Sequence, residues 1–97
     1  MSALTLALIA RIPAPGIAAF QDYEAKVLPL LAEHQGSLQR RLRSDDGTSE
    51  IHIVRFASQI AFESFRSDPR RAAAAHLLVA SGAVTEVIAM HDVTVGP

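Results

Sequence analysis

Residues 37–56, SLQRRLRSDDGTSEIHIVRF, decide the fold. Asp45-Asp46-Gly47 is a strong turn signal with strand-like sequence on either side. After it, Thr48–Phe56 is rich in β-branched residues and predicts a strand. Before it, Ser37–Arg43 alternates weakly and predicts an edge-like partner, whose exposed arginines would guard the edge against stray pairing. The two strands make a hairpin. In the second of them, Ile51 and Ile53 are apolar on one face and Val54 and Phe56 on the other, because successive strand residues point to opposite sides. Both faces of this strand therefore require burial.

Working outward from the hairpin, helical patterns flank it. On the N-terminal side Phe20, Tyr23, Val27, Leu30 and Leu31 recur at spacings of three and four, with Asp22, Lys26 and Glu33 off that stripe. This predicts an amphipathic helix over residues 15–35, started by Pro15, kinked at Pro29 and ended by Gly36 as a left-handed C′ residue. On the C-terminal side Ser58 is an N-cap for a helix carrying Ile60, Phe62 and Phe65. Asp68-Pro69 restarts the helix over Arg70–Ala80, and Ser81-Gly82 stops it. Two apolar runs lie at the outer ends. Leu4–Ile12, LTLALIARI, is bounded by Pro13, Pro15 and Gly16 and reads as a strand buried on both faces. Val84–Val95 reads as the last strand.

The order is β-α-β-β-α-β over residues 1–97, read as a single α+β domain. It implies a ferredoxin-like plait, a four-stranded antiparallel sheet with its helices on one face. Helices cover one side only. The other side is also apolar in the first and third strands, so a second copy of the sheet is the simplest cover, and a homodimer follows. Composition agrees. Of the 97 residues 49% are hydrophobic and 20% charged, more apolar than a small monomer, with its proportionally large surface, needs.

Composition also excludes several functions. The net charge is −1 and aromatic residues are 5%, without Trp, which argues against nucleic acid as a partner. The chain has no Cys, which removes disulfides, thiolate nucleophiles and cysteine-containing zinc sites. No stretch approaches the ~20 apolar residues of a membrane span. The apolar run at residues 4–10 lacks the positive segment that opens a signal peptide, so a cytoplasmic location is expected.

Tyr23, Pro29, Gln35-Gly36 and Leu38 resemble a helix-to-strand passage of the dimeric α+β barrel superfamily. Val54-Arg55-Phe56-Ala57-Ser58, followed by Ala61, Phe62 and Ser67-Asp68-Pro69, resembles the same group. It includes antibiotic-biosynthesis monooxygenases, muconolactone isomerases, stress-responsive barrel proteins and uncharacterised small proteins. The resemblance covers most of the chain. It implies the fold and a dimer of face-to-face sheets, not an activity. Haem-degrading members use a His on the second helix, an Asn and a Trp. This chain has neither Asn nor Trp, and no His between Phe62 and Arg71, so haem degradation is not implied.

Four histidines, His34, His52, His76 and His91, have no metal-ligating spacing, and neither a metal nor a cofactor is expected. His34 suits a helix C-terminus, where it favours the dipole. His52 and His91 fall on predicted strands, where a near-neutral pKa suits general acid–base work. His91 and Asp92 are adjacent and so face opposite ways. Arg55 shares a face with Ile51 and Ile53 and could hold a substrate carboxylate or enolate, or pair with Glu50 or Glu86. Arg70-Arg71 at a helix start would have a partner or stay solvated. The phenol of Tyr23 could donate to a ligand in a cleft between helix and sheet. Tyr23, His52, Arg55 and His91 are therefore the candidate site residues, each weighed against a purely structural role. Three functions stay open: a cofactor-free monooxygenase- or isomerase-like enzyme for a small aromatic or carbonyl compound, a non-catalytic ligand-binding or stress-associated module, and a structural dimerisation domain.

Overall fold

A computed structural model describes residues 2–96. The described residues form an antiparallel four-stranded sheet of order β2-β3-β1-β4 and three α-helices. The strands are β1 (Leu4–Arg11), β2 (Gly36–Arg43), β3 (Ser49–Phe56) and β4 (Val84–Met90). The helices are α1 (Ile17–Val27), α2 (Gln59–Arg66) and α3 (Pro69–Ser81). The α+β fold class, the antiparallel sheet and the placement of the helices on one face are as the sequence led us to expect. No helix among the described residues is long and apolar enough to cross a membrane.

The two central strands carry the core. β1 and β3 pair with Leu6 opposite Val54, Leu8 opposite His52 and Ala10 opposite Glu50. These residues share the helix-covered face. Leu6, Val54 and Phe56 pack there with Tyr23, Val27, Leu30, Leu31 and Phe65. Ala10, Ile12 and Phe20 form a second, smaller cluster. The other face presents Ala7, Ile9, Ile51, Ile53 and Ile88, and no helix covers it.

Several boundaries differ from the sequence reading, each for a local reason. The first helix is not continuous over 15–35. Ala14–Gly16 is one 3-10 turn, α1 ends at Val27, and Leu28–His34 tightens into a 3-10 segment. Pro29 removes one amide donor, and the chain passes from α-helix to 3-10 helix just before it. The left-handed cap is Gln35 at φ 57°, not Gly36. Gly36 instead opens β2, because a Cβ there would lie 2.7 Å from Cε1 of Phe56.

At the far end, β4 stops at Met90 and not at Val95. Met90 lies opposite Thr5, where β1 has nearly run out of partners. His91 and Asp92 therefore lie beyond the strand. The two later helix starts match their signals. Ser58 accepts the Ala61 amide at 3.1 Å, and Asp68 accepts the Arg70 amide at 2.8 Å.

Candidate active site

β2 carries a bulge between Leu38 and Arg40, and it sets the site. Before the bulge Leu38 lies opposite Val54. After it Arg41 lies opposite His52 and Arg43 opposite Glu50. The one extra residue switches which side chains face the helices. It brings Arg41 and Arg43 to the inner face and sends Leu42 to the open one. They meet Glu50 and His52, two residues apart on β3 and therefore on the same side. Glu24 reaches the same point from α1.

The resulting cluster is buried. Glu24, Glu50 and His52 are 4%, 1% and 1% exposed. His52 Nε2 lies 2.8 Å from Glu50 Oε1 and 3.2 Å from Glu24 Oε1. Arg41 donates to Glu50 at 3.1 Å, and Arg43 donates to Glu50 at 2.7 Å. A longer contact of 3.4 Å joins Arg41 to Glu24.

Burial sets the protonation behaviour of this group. It pushes the Glu24 carboxyl up, against the hydrogen bond from His52 that pulls it down. Burial also pushes Glu50 up, but hydrogen bonds with Glu24, His52, Arg43 and Arg41 outweigh it and hold Glu50 below the usual carboxylate range. His52 is opposed by burial, yet its bonds to Glu24 and Glu50 raise it above an ordinary histidine. Glu50 is thus held as an anion, while Glu24 is shifted toward its neutral form and His52 toward its protonated form. Two glutamates and a histidine could in principle hold a metal, since their ligating atoms lie within 4.8 Å of one another. The two guanidinium groups already neutralise that charge, so the donor set does not fit a metal ion.

Glu24 and His52 also line a cavity of about 150 Å³ between the helices and the sheet. Its walls are mostly apolar and include Leu6, Val27, Leu31, Val54, Phe62 and Phe65. An apolar cavity of roughly this size accommodates a benzene-sized ring. It adjoins a more open groove of about 440 Å³ beside β4, with Leu6, Phe62, Arg66 and Val87 common to both. Tyr23, Arg66 and Arg71 supply the remaining polar lining of the cavity.

The four sequence candidates divide here. Tyr23 and His52 line the cavity. Arg55 is exposed on the open sheet face and forms no ion pair among the described residues; Glu50 points to the other face and is bonded elsewhere. His91 is exposed beyond β4. His34 is not merely a dipole partner, because its ring nitrogens lie 2.8 Å from Ser64 Oγ and 2.8 Å from Asp68 Oδ2. Glu24 escaped the sequence reading and Glu50 entered it only as a candidate partner of Arg55, though both carry a signal. Glu24 is four residues after Phe20 and three before Val27, on the buried stripe. Glu50 is two residues before His52 on the same strand face.

The chain has the fold of the antibiotic-biosynthesis-monooxygenase-like α+β barrel proteins. SnoaB, a cofactor-independent oxygenase from Streptomyces nogalater, is 21% identical, with a TM-score of 0.76 over 100% of this chain and 99% of that one. A candidate antibiotic biosynthesis monooxygenase from Caulobacter crescentus is 11% identical, with a TM-score of 0.73 over 94% and 92%. A NIPSNAP domain protein from Burkholderia xenovorans is 16% identical, with a TM-score of 0.72 over 97% and 98%. No family model matches the chain, nor does any curated protein.

Proposed function

We propose that the protein is a cofactor-independent enzyme that removes a proton from carbon next to a carbonyl or phenol in a small aromatic compound. The observation that carries this reading is the buried Glu24–His52 pair in the wall of a mostly apolar cavity. A carboxylate raised by burial is a stronger base than a solvated one, and a histidine held protonated by two carboxylates is a ready donor. Glu24 takes the carbon-bound proton, and His52 donates a hydrogen bond to the developing enolate oxygen. Glu50, fixed by Arg41 and Arg43, positions His52. Return of the proton to another carbon is an isomerisation. Reaction of the enolate with O₂ converts a CH₂ to a C=O and releases water, and the substrate supplies all four electrons. The fold shared with a cofactor-independent oxygenase supports the oxygen-dependent branch.

We assign the working form as a homodimer closed through the open sheet face, where Ile51, Ile88 and Met90 are 40%, 37% and 50% exposed. The catalytic reading is tested with 2-indanone in D₂O. Mass spectrometry should show enzyme-accelerated deuterium exchange at the carbons next to its carbonyl. Glu24→Gln and His52→Gln should each lower that rate by about 100-fold or more. Exchange that survives both substitutions would exclude the pair as the proton-transfer groups.

A further inference from the structure

Five arginines approach the helix-covered side of the sheet or the helices above it, and three of them have acid partners. Arg41 and Arg43 pair with Glu50, and Arg70 with Asp68 and Glu33. Arg66 and Arg71 have no such partner among the described residues, and these are the two that line the cavity. Each is stacked on a phenylalanine. The Arg66 guanidinium lies 5.5 Å from the centre of the Phe62 ring, and that of Arg71 lies 4.8 Å from the centre of Phe65. Stacking fixes a guanidinium plane while leaving its edge donors free.

The donors of Arg71 are unevenly used. One terminal nitrogen, Nη1, donates to the Arg66 carbonyl at 3.2 Å. The other, Nη2, has only a long contact of 3.4 Å to the Tyr23 hydroxyl. Nε is buried and has no partner at all. A buried donor without an acceptor is rare and costly in a native protein. Nε and Nη2 are the two donors of the guanidinium edge that engages a carboxylate side-on. The nearest acids do not fill this role. Glu24 lines the same cavity but is bonded at the sheet end to His52 and Arg41. Glu63 shares a shallow surface pocket with Arg66 and forms no ion pair with it.

We propose that Arg71, with Arg66 at the mouth, forms an anion subsite, so that the ligand of this cavity is an aromatic or unsaturated acid whose carboxylate binds the free edge of Arg71. The ring lies among the leucines and phenylalanines, and the opposite end of the molecule meets Glu24 and His52. This assignment rests on the cavity being a small-molecule site, as proposed above, and narrows it to acids. A neutral ligand of the same shape would leave Nε unpaired.

The test compares trans-cinnamate with cinnamyl alcohol, which share shape and differ in charge, by calorimetric or NMR titration of the full chain. The wild type should bind the acid more tightly than the alcohol by about tenfold to a hundredfold. Arg71→Gln should abolish that preference of acid over alcohol, and Arg66→Gln should reduce it. If Arg71→Gln does not fold, the wild-type comparison and Arg66→Gln decide. Equal affinity for acid and alcohol in the wild type, or a preference that survives both substitutions, overturns the anion subsite and leaves the cavity as a binding site. Binding of neither compound overturns the subsite together with the reading of the cavity on which it rests.

Discussion

His52 is held above its ordinary pKa of 6.5 by Glu24 and Glu50, and this fixes the sign of a stability effect. The folded chain binds that proton more tightly than the unfolded chain. Its contribution is complete below pH 6.5 and is lost as pH rises through the raised folded value. Urea titrations should therefore give an unfolding free energy that falls as pH increases from 6.5, and His52→Gln should flatten that slope. A wild-type profile that is flat across this range would contradict the assigned contacts. Glu50 has the opposite sign. Its stabilisation is present above its ordinary value of 4.5 and disappears as pH falls through the depressed folded value. Gly36 gives a residue-scale test of packing. A methyl at this position meets the Phe56 ring and lies 3.1 Å from the Leu31 carbonyl oxygen. Gly36→Ala should cost about 1–3 kcal/mol, measured by the same titrations.

At the scale of elements, the strand content of the hairpin was legible because β-branched residues surround a sharp turn. The way β3 divides its residues between two faces was legible for the same reason. The bulge in β2 was not. Nothing in SLQRRLR marks Gln39 as the extra residue, and the register it sets depends on pairing with β3. That is why Arg41 and Arg43 read as edge-guarding surface residues when they in fact neutralise a buried carboxylate. Deletion of Gln39 should remove the bulge and leave Arg41 opposite His52 and Arg43 opposite Glu50, so the ion pairs to that carboxylate should survive. The deletion variant should therefore stay folded in urea titrations, and a loss of several kcal/mol, as when a buried ion-pair partner is removed, would contradict the assignment of Gln39 as the extra residue. The helices were legible by periodicity, but the 3-10 segment after Val27 was not, because a periodic stripe does not distinguish helix types over two turns. Gly16 couples the ends of two such elements. A Cβ on it would fall 1.8 Å from the Ser81 carbonyl oxygen. Gly16→Ala should therefore force the 3-10 turn and the end of α3 apart and lower Tm, an overpacking cost of about 2–3 kcal/mol.

At the scale of the whole molecule, the sheet separates two tasks. Its inner face, with α1, α2 and α3 above it, carries the cavity and the buried acid–base cluster. Its outer face carries Ile51, Ile53 and Ile88 and is assigned to the partner copy. Ile51 is exposed in the single chain, so Ile51→Lys should leave the single chain folded. It should convert the proposed dimer to monomer in native mass spectrometry, because such a dimer would have to bury the charge. The sequence indicated that both faces require burial. It could not say which face held the site, since Arg55 and His52 lie on opposite sides of one strand and each suits ligand chemistry. Titration of methyl-labelled protein with trans-cinnamate, followed by methyl NMR, separates the two faces most directly. Shifts at Leu6, Val27, Leu31 and Val54, with Ile51, Ile53 and Ile88 unmoved, are expected if the cavity between helices and sheet is the ligand site. Shifts confined to the three isoleucines would place the ligand on the other face and contradict the site built on Glu24 and His52.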